Sequence, residues 1–437
     1  MKILIICTHF PPDTAIAAKR PYMFAKYLSD FGHEVTVLCS GRIIAKKDNS
    51  YNEKLNKFRV IAYLEEKTDS NSPATPTLAH RNSSLIPVII RDSVKNIYHA
   101  LYEPIDIYRK KRLTAYHFDN IKIKLEGLKD EHFDVVFSTF SELSNVYAGA
   151  YAKEMFKCKW ILDFRDRIVQ LSHSSWLWNI LYRPVERKYI DKADAVTAVS
   201  EDLFFGSPYS TSKIHAIYNG YEPLDLEKNN YNQENKLSFC YTGMVYGERA
   251  LALNLLFKVI ADLIDKDKIE NSKITFEYAG PSGEEVFRMA SKYKLESIVH
   301  QHGYLLSNEL AQLQLQSDIF LVLSWNHKNE RGVLTGKFYD GIRIKKPILS
   351  VIVGETPDSE LSRLNEKYHY GFCYEQAQGN QQNEDFEQFI LNLYDQKIEI
   401  GRIDYQINES FIDRFKYENL TKELELLCQK ILNNETI

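Results

Sequence analysis

Lys337 and Asp340 stand three residues apart in the segment Arg331-Gly332-Val333-Leu334-Thr335-Gly336-Lys337-Phe338-Tyr339-Asp340-Gly341. On a helix that spacing puts both side chains on one face. The apolar runs on either side, Ile319–Leu323 and Ile348–Val353, read as buried parallel strands. A Gly/Thr turn after the first run would open a helix whose first N–H groups lack partners and whose dipole favours an anion. A lysine in that first turn is a point charge for phosphate, and a carboxylate one turn on can accept hydrogen bonds from hydroxyls. Thr335, Gly336 and Lys337 are therefore candidates for holding a diphosphate, and Asp340 for holding a ribose. Together they are what a nucleotide-sugar pocket requires. The same residues also suit an ordinary loop with a solvated Lys and Asp, so the surrounding elements decide.

Those elements alternate. Lys2–Cys7 is a short apolar strand, followed by a loop with Pro11-Pro12, a helix over 19–30 and a strand over Glu34–Cys39. Further strands are expected at 134–138, 160–163 and 195–199. After a polar stretch from Asn219 to Asn235 the pattern restarts: strands at 237–242, 274–279, 299–302 and 319–323, with helices at 251–264, 284–294 and 308–316 between them. Strand–helix alternation implies doubly wound parallel sheets of the Rossmann-like α/β class. Residues 42–132 fit it poorly. Ser70–Ser84 reads as loop, and Ile97–Leu128 as one or two helices carrying Arg109-Lys110-Lys111-Arg112.

At 437 residues the chain suits two domains. Two such sheets place a cleft between their carboxyl ends, where ligands bind in this class. A net charge of -4 leaves no footprint for nucleic acid. The six cysteines form no C-x-x-C pair and read as buried free thiols in a reducing, cytoplasmic setting. No apolar run approaches the roughly 20 residues of a membrane span. Asp265-Lys266-Asp267 is the one D-x-D and reads as a solvated turn, so no metal is expected.

Gly32-His33-Glu34-Val35-Thr36-Val37, Asp194–Ser200, Ile217-Tyr218-Asn219-Gly220, Tyr241-Thr242-Gly243 and Gly332–Leu349 occur in an order and spacing that resemble the retaining GT-B glycosyltransferases of family four, of bacterial cell-surface polysaccharide type. The resemblance spans nearly the whole chain and is weakest over 42–132. It implies the GT-B fold, with two Rossmann-like doubly wound domains facing a central cleft. The implied domains are an acceptor domain over 1–215, a nucleotide-sugar domain over 216–405 and a helix over 406–437 that crosses back, for which Phe411–Leu432 is the candidate. It implies a UDP- or GDP-linked sugar donor, a saccharide or lipid-linked saccharide acceptor, and no cofactor. Lys337 matches the family's phosphate lysine, and Arg249 its other cation at the diphosphate. Asp340 stands at the ribose-binding acid, Gly243 at the turn after the strand, and Asp166, in Asp163-Phe164-Arg165-Asp166, at an acidic cleft position.

Three departures stand out. The residue eight before Asp340, where the family has its first acid, is Gly332, and Glu330 is the nearest carboxylate. The first loop reads Thr14-Ala15-Ile16-Ala17-Ala18 where many relatives have Gly-Gly. Asp340 is one methylene shorter than the usual glutamate.

Retention on one sugar face needs the departing diphosphate neutralised and the acceptor oriented. Arg249, Lys337 and the amides near Gly336 are suited to the first task without a metal. His9, just after the first strand, is a candidate contact for acceptor or phosphate. Asp163 and Asp166 could both be held by Arg165 and Arg167 in a surface cluster. An isomerase of the same shape, or a silent partner subunit, stays open beside the transferase. Leu85–Ile90, Tyr98, Tyr102, Tyr108 and the Arg109–Arg112 run suggest weak peripheral contact of residues 85–124 with the inner face of the plasma membrane, against the alternative of a solvated helix face.

Overall fold

The computed structural model describes residues 1–13, 15–41, 57–64, 88–169, 176–209, 211–224 and 235–435, with only the backbone for 88–102, 176, 211, 380 and 381. Thr14, the Ser70–Ser84 stretch, Leu85–Pro87 and most of the Asn219–Asn235 stretch lie outside the described residues. The chain forms two compact units. One comprises Met1–Ala198, Ser207–His215 and Thr421–Ile437; the other comprises Val199–Gly206 and Ala216–Leu420.

The first unit carries β1 (Lys2–Ile6), α1 (Ile16–Asp30), β2 (Glu34–Cys39), β3 (Arg59–Ala62), α2 (Val88–Glu126), β4 (Val135–Phe140), α3 (Leu143–Phe156), β5 (Lys159–Phe164), α4 (Trp176–Lys192), β6 (Ala195–Ala198) and β7 (Ile214–Ala216). The sheet order is β3-β2-β1-β4-β5-β6-β7, with parallel pairing from β3 through β6. Ile3 to Ile6 are fully buried, as the unbroken apolar run demands of a strand covered on both faces. Gly149 lets α3 approach the sheet, because a Cβ there would collide with Ser138 and the Trp160 ring.

Residues 42–132 contribute more than their sequence suggested. Arg59–Ala62 adds the edge strand β3, which is largely exposed and so lacks an apolar run. Ile97–Glu126 falls in the single 39-residue helix α2, with Gly127 and Leu128 in the turn after it. Helix α1 begins at Ile16, three residues ahead of the expected start, so Ile16–Ala18 are helical rather than loop.

The surface cluster expected around Asp163 does not form. Asp163 is fully buried and bonded to Arg20 of α1 (Nη2 to Oδ1 2.8 Å, Nε to Oδ2 3.1 Å), with Thr139 and Thr197 hydroxyls on the same carboxylate. Arg167 turns instead to Glu186, also fully buried, which further accepts from the Tyr209 hydroxyl and the Val169 amide. Sequence proximity gave the wrong partners because β5 carries Asp163 inward while the chain beyond it turns away.

The second unit carries β8 (Leu237–Thr242), α5 (Glu248–Asp265), β9 (Ile274–Ala279), α6 (Gly283–Ser291), β10 (Val299–Gly303), α7 (Ser307–Gln316), β11 (Ile319–Trp325), α8 (Gly336–Ile344), β12 (Ile348–Val353), α9 (Glu360–Tyr368), β13 (Gly371–Glu375), α10 (Asn380–Ile400) and α11 (Glu409–Arg414). Its sheet order is β10-β9-β8-β11-β12-β13, parallel throughout. Phe239, Phe257, Phe276, Leu321 and Phe386 lie in its core. Gly341 seats α8 on the sheet, since a Cβ there would press on Ile348 and Phe320.

The terminal amphipathic stretch is two helices, α11 and α12 (Tyr417–Leu432). From Thr421 onward it belongs to the first unit, where Glu425 meets His33 at 2.9 Å and Asn434 meets Lys159 at 2.7 Å.

Candidate functional site

In each sheet the strand order reverses beside the first strand, between β1 and β4 and between β8 and β11. Crevices outside the carboxyl ends of such strands are where open α/β sheets bind ligands.

In the second unit β8 is followed by Gly243, whose φ of +120° suits glycine alone. A Cβ there would stand 3.3 Å from Cε of Lys337, so the lysine stem lies directly on this turn. The Gly243 carbonyl accepts from the Tyr278 hydroxyl at 2.7 Å, and that hydroxyl accepts from the Ser282 amide, which fixes the Gly280–Gly283 loop beside it. Helix α8 starts where the sequence placed it. Thr335 is its N-cap, but its hydroxyl makes no capping bond and is buried without a partner. A Cβ at Gly336 would meet nothing within 4 Å, so the helix N-terminus faces open space.

Lys337 Nζ donates to Asp340 Oδ2 at 2.9 Å, with both side chains partly exposed. Arg343 stands 3.9 Å from Asp340 and donates to Gln314, whose amide in turn reaches the Thr242 hydroxyl. Asp340 thus holds one cation that faces the turn and stands near a second. The Gln314–Arg343 relay was not anticipated, because nothing in the sequence marks a glutamine at 314 as fully buried.

Arg249 lies in the first turn of α5, its guanidinium 5.2 Å from the Tyr246 ring and 5.7 Å from the Trp325 ring at the end of β11. Trp325 Nε1 is buried and unpartnered. The structure thus sets Lys337 against both the Gly243 turn and Asp340, and places the Arg249 guanidinium by Trp325 at the end of β11.

Gly332 has a packing reason for carrying no acid. Its φ is +71°, and a Cβ there would strike the Ser200 hydroxyl and the backbone of Asp202 and Leu203. Glu330 sits two residues earlier in a tight turn that exchanges backbone bonds with His327. The loop is pinned by Ser324 on the Val333 carbonyl, and by Arg331, which donates to the Asp358 carbonyl and lies 3.5 Å from Asp202. Burial raises the Glu360 carboxyl above its ordinary value, opposed by bonds from the Glu201 amide and the Tyr218 hydroxyl. His327 bridges Glu355 and Glu248; burial pulls its pKa down, but the two carboxylates outweigh burial and raise it. Its amide neighbour Lys328 and His327 hold Glu355 down at about 2.

In the first unit the carboxyl ends of β1 and β4 carry a polar group that the sequence reading missed. Thr8 accepts from the Asn145 amide and the Ser141 hydroxyl, both at 3.0 Å. His117, buried on the inner face of α2, pairs through Nδ1 with Glu142. His9 Nδ1 is 2.8 Å from Asp13, whose other oxygen accepts the Ala15 amide. Only His9 had been singled out; the others are scattered over four elements, and no spacing unites them. Asp166 is exposed, on the loop after β5. The described residues contain no cluster of His, Cys, Asp and Glu that could hold a metal. Asp265-Lys266-Asp267 closes α5 as a turn with Asp267 at φ +54°.

Solved structures share this fold over nearly the whole length of both chains. The Anabaena protein HepE, solved with UDP and glucose, matches at a TM-score of 0.54 with 12% identity, over 98% of this chain and 100% of that one. The fold is GT-B. The lipopolysaccharide outer core galactosyltransferase WaaB matches at 0.56 with 11% identity over 99% of each chain. A UDP-GlcNAc 2-epimerase from Methanocaldococcus jannaschii matches at 0.50 with 10% identity, over 98% and 99%. No family model matches the sequence, and a search of curated proteins finds no significant match. The GT-B fold here therefore carries the identity of the architecture, while the chemistry rests on the residues.

Proposed function

We propose that this protein is a glycosyltransferase that moves a sugar from a nucleotide-diphosphate donor to a saccharide or lipid-linked saccharide hydroxyl, in cell-surface polysaccharide synthesis. The observation that carries the reading is Lys337, lying on the Gly243 turn at the N-terminus of α8 with Asp340 one turn behind it. A diphosphate at that helix end would meet N–H groups, the dipole and an ammonium together. Arg249, in the first turn of the helix after β8, supplies the second cation, and Asp340 is left to accept ribose hydroxyls.

The donor domain in this reading is residues 216–405, and the acceptor domain 1–215. In this reading Arg249 and Lys337 neutralise the leaving diphosphate without a metal, and the acceptor hydroxyl attacks on the face that the diphosphate leaves, passing its proton to a diphosphate oxygen, which retains the configuration at the sugar carbon. The partly exposed His9 imidazole just after β1 is suited to an acceptor's hydroxyls, with Thr8 and Asn145 buried behind it and Asp166 exposed on the loop after β5. The fold neighbours that bind UDP, UDP-glucose or are galactosyltransferases support the donor class.

The epimerase likeness keeps one competing reading in view, since an isomerase would bind the same donor. Incubation with UDP- and GDP-linked sugars, with and without oligosaccharide acceptors, separates them. A transferase releases nucleotide at a rate set by acceptor, and proton NMR of the product gives the retained anomer. Interconversion of the donor without acceptor would overturn the transferase reading, and binding of neither UDP nor GDP would leave a silent partner subunit.

A further inference from the structure

We infer that Arg343 is a positioning residue that takes over Asp340 when Lys337 turns to a diphosphate. The inference rests on the donor reading of the α8 N-terminus given above. Lys337, Asp340 and Arg343 follow one another at three-residue steps and so share one face of α8. Lys337 Nζ occupies Oδ2 of the carboxylate at 2.9 Å, and Arg343 Nη2 faces Oδ1 at 3.9 Å. The second gap is about 1 Å longer than a charge-assisted hydrogen bond. Arg343 Nε is buried with no partner among the described residues, so the guanidinium keeps an unused donor.

This arrangement calls for an exchange. While Lys337 holds Oδ2, the ammonium is committed and the carboxylate has only Oδ1 left for a ribose hydroxyl. A diphosphate that draws Lys337 away gains a cation but strips a part-buried carboxylate of its nearest donor, which opposes binding. Arg343 offsets that loss by closing on Oδ1, and Oδ2 is then open to the ribose. The guanidinium is held ready from its other side. Its Nη2 donates to Gln314 Oε1 at 3.1 Å, and Gln314 Nε2 donates to the Thr242 hydroxyl at 3.3 Å. Gln314 and Thr242 are both buried. Thr242 precedes Gly243, the turn on which the Lys337 stem lies. The contacts therefore form a ring from that turn through Lys337, Asp340, Arg343 and Gln314 back to β8. A simple ion pair on a helix surface contributes little and has no such buried anchor.

Isothermal titration of a double-mutant cycle with UDP and GDP tests the exchange. With the nucleotide that binds wild type, Arg343→Gln should weaken binding roughly three- to tenfold, because Lys337 then leaves Asp340 with no second cation. Arg343→Lys, which keeps the charge, should recover most of the loss. In Asp340→Asn, where Lys337 is already released, adding Arg343→Gln should change affinity less than about twofold. Both backgrounds lose the Gln314 contact alike, so an effect on packing alone cancels in the comparison. An equal loss in both backgrounds would overturn the inference, as would wild-type affinity in Arg343→Gln. Binding of neither nucleotide by wild type would overturn the donor reading itself, and the exchange with it.

Discussion

Lys337 and Asp340 are joined by a 2.9 Å hydrogen bond at the first turn of α8. The lysine that would meet a diphosphate is held in place by the carboxylate that would meet the ribose. Asp340 also lies 3.9 Å from Arg343, so an arriving anion can draw Lys337 forward without leaving the carboxylate remote from positive charge.

Lys337→Ala and Arg249→Ala should each lower kcat by roughly 10²–10³, because each removes a cation from charge that grows on the leaving diphosphate. Steady-state kinetics on folded, purified variants checks this. Activity equal to wild type in either would remove that residue from the reaction.

Asp340→Ala should behave differently. Ribose contacts are made alike in ground and transition states, so the donor KM should rise while kcat changes little. Asp340→Asn, which keeps a hydrogen-bonding group, should recover part of the loss. An unchanged KM in both variants would show that the carboxylate serves only to hold Lys337.

Turnover should persist in EDTA, since the neutralising charges proposed are side chains. Complete loss restored by Mg²⁺ or Mn²⁺ would replace Arg249 and Lys337 with a metal as the principal counter-charge.

The buried Arg20–Asp163 pair predicts a stability effect separate from catalysis. Arg20→Ala leaves a fully buried carboxylate with only two hydroxyls, and loss of one partner of such a pair costs roughly 3–5 kcal/mol. Denaturant unfolding monitored by circular dichroism reads this directly. A shift within error would mean that water or a neighbour replaces the guanidinium.

The His327–Glu355 bridge should make local stability depend on pH. The His327 pKa is raised above its ordinary 6.5, so its contribution is complete below that value and lost as pH rises through the folded pKa. Glu355 is lowered from 4.5 to about 2, so its contribution is complete above 4.5 and lost as pH falls toward 2. The bridge is therefore fully formed between those ordinary values. Unfolding curves of wild type and His327→Gln across pH should diverge most between 4.5 and 6.5 and converge on either side.

The alternation of apolar strands with helices made both sheets readable, because strands covered on both faces need unbroken apolar runs such as Ile3–Ile6 and Ile319–Leu323. The exposed edge strand β3 and the polar-rich α10 lacked that signature. Lys337 and Asp340 could be read because they are neighbours on one helix, and Gly332 could be read as a departure but not explained until Ser200 was seen against it. Thr8, His117, Glu142 and Asn145 meet only through folding, as do Arg20 and Asp163. Spacing within one element carries information that pairing across elements does not.

Isothermal titration of wild type, Lys337→Ala and Arg249→Ala against UDP, GDP and other nucleoside diphosphates tests the central claim most directly. One nucleotide should bind wild type saturably, and each variant should bind it at least tenfold more weakly. Binding of none, or equal binding by all three proteins, would contradict a diphosphate site at the N-terminus of α8.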